Sequence, residues 1–345
     1  MEQMRDGMDE MLELEGRRAG IRLLLLFLVL AAGFIASLAV GRYYIPVSEI
    51  LAAFSGGQVA DKTSQVLMVV RLPRVLAAVL VGGAMSVSGA AYQGMFKNPL
   101  VSPDILGSSA GAGFGAALAI LLSLGVAGIK GAAFFFGLFA VMVTWLISRR
   151  FGSGDDSLFL LILGGIIVSN LFQSLISLVK YAADPTDKLP AITFWLMGSL
   201  SKAVMKDVMV MLVPFALCTA VLIFCAGRLN ILALGEEEAK TLGINTGILQ
   251  AVVIAAATVL TAFCVSLCGM IGWVGLVIPH LARMLVGPNF KVLLPASLLL
   301  GSSYLMIMDD LCRSVFAVEI PLGIITSLAG LPFFLYLLTK QNKGW

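Results

Sequence analysis

Asp309, Asp310, Arg313 and Glu319 form the densest group of charges inside an otherwise apolar part of this sequence. The two aspartates stand four and three residues before Arg313, so on a helix either carboxylate can reach the guanidinium. Such a pair lets an arginine sit close to an apolar medium, and the spacing fits a purely internal pair and a charge kept for a partner alike. Two more arginines, Arg71 and Arg74, bracket Leu72-Pro73. His280 follows Pro279; a lone histidine can relay protons within a membrane, but no acid stands at relay spacing, so a structural hydrogen bond or cap fits it better. Cys264 and Cys268 share a helix face, yet no histidine or acid lies beside them, and they read as packing residues with no metal site implied. Glu236, Glu237 and Glu238 lie between Gly235 and Gly243, together with Ala239 and Leu242. That segment suits a short amphipathic helix for a partner's groove, and it suits a solvated acidic loop equally. GxxxxGK[ST], HExxH and GxSxG motifs are absent, which removes the sequence signals for a phosphate-binding loop, a zinc protease or a serine hydrolase.

The elements that must position these residues are membrane helices. Hydrophobic residues make up 59% of the 345 and charged residues only 12%, about half the share of a soluble domain. Apolar runs of roughly twenty residues recur from end to end, each long enough for a hydrocarbon core of about 30 Å. They are continuous and do not alternate, which disfavours a barrel. The runs predict an all-α polytopic membrane protein of about ten spans. Residues 1–20 form a polar extension and residues 21–345 a single transmembrane domain, with a polar stretch at 228–246. Arg17-Arg18 and Arg149-Arg150 place both termini in the cytoplasm by the positive-inside rule. Arg71, Arg74 and Arg313 then fall on the far side, against the rule. No basic run with interleaved aromatics suggests nucleic acid.

One stretch, Arg71–Gly107, carries small residues at helix-packing spacing and then breaks at Asn98-Pro99, with Leu100 beside the break as a possible apolar constriction. Unpaired backbone at membrane depth must face protein or water, so the break points to a permeation path. Gly272, Gly275 and Pro279 predict a second broken segment ahead of His280. Paired breaks in two inverted-like halves are a transporter signature.

Six ordered segments converge on one family: RLPR (Arg71–Arg74), SGAAYQGMFKNPLVSPDILG (Ser88–Gly107), FWLMGSL (Phe194–Leu200), LGEEEAKTLGI (Leu234–Ile244), GMIGWVGLVIPHLAR (Gly269–Arg283) and EIPLGIITSLAGLPFFLYLL (Glu319–Leu338). The chain resembles the FecCD-like permease subunit of type II ABC importers, which take up ferric siderophores, haem and vitamin B12. The resemblance implies a ten-helix fold and a homodimer in the bacterial or archaeal cytoplasmic membrane. It implies two separate ATP-binding cassette subunits, which carry the ATP and magnesium, so that this subunit is not an enzyme and holds no cofactor. It further implies a substrate-binding protein docking on Arg71, Arg74 and Arg313, a cytoplasmic gate at Asn98, Pro99 and Leu100, and coupling to the ATPases through Gly235–Gly243. A ferric siderophore is the expected cargo, with haem or cobalamin as alternatives. The chain departs from the common pattern at Trp273, at Val101 and in its acidic N-terminus. An ion-coupled secondary transporter is the rival from another class, and it has no use for a coupling helix.

Overall fold

The computed structural model describes residues 2–151, 156–315 and 318–341, and every regular element among them is helical. In order these are α1 (Glu2–Ala39), α2 (Val47–Phe54), α3 (Asp61–Gln65), α4 (Leu72–Met95), α5 (Ser108–Leu121), α6 (Val126–Phe151), α7 (Asp156–Ala182), α8 (Lys188–Leu196) and α9 (Met205–Phe224). They continue with α10 (Ala226–Leu234), α11 (Glu236–Thr241), α12 (Thr246–Cys268), α13 (Val274–Val286), α14 (Phe290–Ser314) and α15 (Leu322–Gln341). Seven stretches are long and apolar enough to cross a membrane, and α5, α13 and most of α15 are shorter apolar helices at the remaining predicted spans.

The second predicted span begins earlier than expected. A π-helical turn, Val66–Arg71, joins α3 to α4, so one helix runs from Asp61 to Met95. The turn Asp61–Gln65 is polar and carries no apolar period, which hid it as a loop. It is nevertheless anchored: Thr63 is buried and donates to Glu49 at 3.1 Å.

Helix α4 is the centre of the bundle, buried almost continuously from Pro73 to Met95 and packed by α9, α12, α13 and α14. Its small residues make that possible. A Cβ on Gly82 would lie 2.8 Å from both the Gly301 carbonyl carbon and Leu305 Cβ. A Cβ on Gly89 would sit on the carbonyl oxygen of Gly275, with the carbonyl carbon at 2.7 Å.

That second crossing corrects the reading of Pro279. The proline lies inside α13 and does not break it. It offers no N–H to the carbonyl four residues back, which is Gly275. The freed carbonyl packs against Gly89, where no side chain blocks it. The actual break precedes α13, at Gly269–Trp273, where Trp273 takes φ 73°. Gly272 lies in this break and Gly275 in the first turn of α13. A Cβ on Gly275 would also meet Pro103 Cδ at 2.5 Å. The two broken segments therefore touch. His280 sits mid-helix and half-buried, one residue after Pro279.

The short segment after α8 is stitched into the bundle by backbone bonds. Ser199 N–H donates to Cys268 at 2.7 Å, and Leu322 N–H donates to Gly198 at 2.9 Å. The predicted turn at Asp184-Pro185 is present. The Thr186 hydroxyl, then the Thr186 and Asp187 N–H groups, hold the Asp184 carboxyl below the usual carboxylate range. Helix α14 starts from a cap: Asn289 Oδ1 accepts from Lys291 N–H at 3.0 Å and from Asn230 Nδ2 at 2.8 Å. Asn289→Ala should lower stability by about 1–2 kcal/mol, read as a lower melting temperature in detergent, with Asn289→Asp retaining most of it.

Candidate functional site

Two sites lie at opposite ends of α4. Arg74 and Lys97 are separated by about 35 Å at 1.5 Å per residue, slightly more than the hydrocarbon core.

At the first end, all three sequence-selected arginines are buried: Arg71 is 4% exposed, Arg74 7% and Arg313 8%. Arg74 is held by two carboxylates at once. Its Nε and Nη2 donate to Asp309, each at 2.8 Å, and its Nη1 and Nη2 reach Glu319 at 3.2 and 2.6 Å. Arg313 pairs with Asp310 and also donates to the Ser37 hydroxyl at 3.0 Å and to the Ser37 carbonyl. Asp309 lies 3.9 Å from Arg313 as a second, weaker contact. The i,i+3 pair anticipated from spacing is thus the dominant one. Arg71 has a different task. Its guanidinium donates to the carbonyls of Leu38 at 2.7 Å, Ala39 at 3.0 Å and Tyr43. Those belong to the last turn of α1 and its exit, where helix carbonyls lack partners and a cation is favoured.

Arg74 and Arg313 therefore form one ion-pair cluster with Asp309, Asp310 and Glu319, and Arg71, held on backbone carbonyls, adds its positive charge beside it. Apolar surroundings force each cation onto internal acceptors, so the arginines expected to meet a binding protein are engaged within this chain. The accessible part is acidic: the Glu319 side chain is 33% exposed and that of Asp310 21%, against 9% for Arg74 and Arg313. The Glu319 contact was missed in the sequence, being 245 residues away from Arg74.

At the other end, α4 stops at Met95 and the chain turns through Lys97 at φ 50°. Asn98 Oδ1 accepts from Leu100 N–H at 2.9 Å, fixing the Asn98-Pro99-Leu100 turn. Leu100 is exposed and closes nothing within this chain. Gln93 ties the turn to α13, donating to the carbonyl of Leu276 at 3.1 Å. Beneath lies a cleft of about 510 Å³ whose lining includes Lys97, Asn98, Asn230, Arg283 and Asn289 and, among the described residues, no carboxylate.

Helix α10 borders this cleft through its last residue, Leu234, and α11 follows after Gly235. Gly243 at φ 76° ends α11, with Ile244 N–H donating to Ala239 at 3.0 Å and Gly243 N–H to Lys240 at 2.9 Å, a glycine-terminated double bond pattern. Gly235 precedes its first residue, and Glu237 pairs with Lys240 at 2.9 Å. Glu236 accepts from Thr246 at 3.0 Å, tying α11 to α12. Glu238 packs back against Gly235. The small apolar face expected from Ala239 and Leu242 is divided. Ala239 is fully buried within the chain, whereas Leu242 is 64% exposed and Leu234 also faces outward.

The model of the FecCD transport family matches residues 28–340, nearly the whole bundle including both sites. The chain belongs to the FecCD transport family. This FecCD permease is 41% identical over 325 residues to the molybdate import system permease MolB of Haemophilus influenzae, covering 93% of this chain and 95% of that one. It is 38% identical over 279 residues to a probable iron chelatin transport permease of Helicobacter pylori, covering 81% and 84%. A solved metal-chelate type ABC transporter in an inward-facing conformation superposes with a TM-score of 0.84 at 41% identity, covering 92% of this chain and 98% of that one. The type II importer permease and the helical fold implied by the six motifs both hold for this chain.

Proposed function

We propose that this permease works as a homodimer in the cytoplasmic membrane, with two ATPase subunits engaging α11 and a binding protein delivering cargo at the Arg74 end. The carrying observation is the α10–α11 corner: exposed Leu234, the last residue of α10, lines the cleft with Asn98 and Pro99, and α11 follows it directly with Leu242 exposed at its far end. A partner that pulls on α11 can move the turn. Leu100 then meets its copy across the two-fold axis to form the constriction. ATP and magnesium belong to the ATPase subunits.

The cargo is a metal oxyanion or metal chelate. Molybdate stands first, supported by the extent of the likeness to the molybdate permease. The cleft with Lys97 and Arg283 and, among its described residues, no carboxylate is compatible with an anion leaving there. A ferric siderophore is second, followed by cobalamin and haem. Proteoliposomes carrying the complete transporter, offered each labelled cargo in turn, should take up one class in an ATP-dependent manner. Deleting Glu236–Gly243 should abolish that uptake. Persistent uptake driven by an ion gradient would favour a secondary transporter instead.

Docking needs one rearrangement. Glu319 occupies Arg74, so a partner carboxylate must compete with it. Glu319→Gln should therefore tighten binding-protein association several-fold, on the scale of one exposed pair of about 1 kcal/mol, measured by surface-immobilised permease titrated with binding protein. Weaker association would remove Arg74 from the docking surface.

A further inference from the structure

A seam between α6 and α12 holds two cavities that run into each other and share Trp145, Ala251 and Ile254. The one at the α11 end is about 400 Å³ and mixed, with Ser148, Arg149, Asn245 and Gln250 in its wall beside Leu158 and Leu161. The other is about 310 Å³ and lined by Leu138, Met142, Ala255 and Val259 among others. Its one hydroxyl, Thr258, is engaged with Tyr92 at 3.3 Å. Ala251 and Ala255 lie four residues apart on one face of α12, and their small side chains keep the groove open.

We propose that this groove holds one anionic phospholipid, with its phosphate at Arg149 and an acyl chain along the apolar half. Three observations carry it. The first is polarity: the groove passes from a cation to hydrocarbon without a carboxylate among the described residues of its lining. The second is depth. Leu138 lies about 16 Å from Arg149 along α6, which is one leaflet of a core of about 30 Å. The third is the build of the headgroup end. The Arg149 guanidinium lies 4.8 Å from the Trp145 ring centre, which positions it over the seam. Among the described residues it has no acidic partner. The N-terminal end of α12, at Asn245 and Gly247, adds positive potential there, and tryptophan belongs at this depth. Basic pockets between membrane helices select anionic headgroups by this combination. A neighbouring helix of about 10 Å diameter does not fit cavities of 310 and 400 Å³, whereas an acyl chain does.

The test uses the full-length chain in detergent with equimolar palmitoyl-oleoyl phosphatidylglycerol and phosphatidylcholine, with bound lipid counted by native mass spectrometry. Wild type should retain phosphatidylglycerol about fivefold over phosphatidylcholine, the effect of one interfacial cation. Arg149→Ala should bring the two lipids to parity, and Arg149→Gln should do the same if the alanine variant does not fold. Arg150→Ala should keep the preference. Ala251→Trp should lose retention of both lipids. Glycerol 3-phosphate should not displace the lipid, since it lacks the chain. A preference that survives loss of Arg149, retention that survives Ala251→Trp, or displacement by glycerol 3-phosphate alone would each overturn the proposal.

Discussion

Asp309→Ala should cost the permease about 3–5 kcal/mol, the range for breaking a buried pair from one side. Asp309 is 1% exposed and takes two hydrogen bonds of 2.8 Å from Arg74. Its removal leaves Arg74 with Glu319 alone, whose side chain is 33% exposed and holds the arginine only from the outer side. Arg313 also loses its secondary contact at 3.9 Å. The double variant Asp309→Leu, Arg74→Met should recover much of the loss, because no buried charge is then left alone. The measurement is thermal unfolding in a fixed detergent, with monodispersity on a sizing column as the second readout. An Asp309→Ala protein as stable as wild type would show that the cluster contributes little.

Gly89→Ala should be comparably severe, although it adds a single methyl group. The new Cβ lands on the Gly275 carbonyl oxygen, with the carbonyl carbon at 2.7 Å and Cα at 2.9 Å. Both sides of the contact are backbone, so no side-chain rotation relieves it. The expected cost is about 3 kcal/mol, the upper end for overpacking. Gly131→Ala is the control. It lies in α6 with nothing within 4 Å of the new atom, and it should be neutral or stabilising by up to about 1 kcal/mol. Equal effects of the two alanines would remove the α4–α13 crossing from the account.

Helices and sites differ in how far they can be read from the chain. The spans follow from apolar run length, a local property, and so their number and order come through. The Asn98-Pro99 turn and the glycine end of α11 come through for the same reason. Pro279 misleads because a proline normally marks a helix boundary, while here the bundle uses its missing donor to free a carbonyl for a helix crossing. Arg71 could not be assigned, since its acceptors are backbone carbonyls, which every residue carries. The Arg74–Asp309–Glu319 contact joins residues 235 and 245 positions apart, and no local pattern encodes it. Ala239 looked available because amphipathicity identifies an apolar face without saying which molecule covers it.

The arginine cluster also sets an order of events during synthesis. Arg74 waits 235 residues for Asp309, and Ser37 waits 276 for Arg313. At about 5–20 residues per second that is on the order of 10–50 s. Throughout that interval Arg74 on α4 has no carboxylate from α14 to receive it, whereas the carbonyls that hold Arg71 are already made. The Arg74 end of the helix must therefore stay near the headgroups, or in the care of the insertion machinery, until α14 emerges. The helix at the centre of the finished bundle is thus among the last to settle into its final depth.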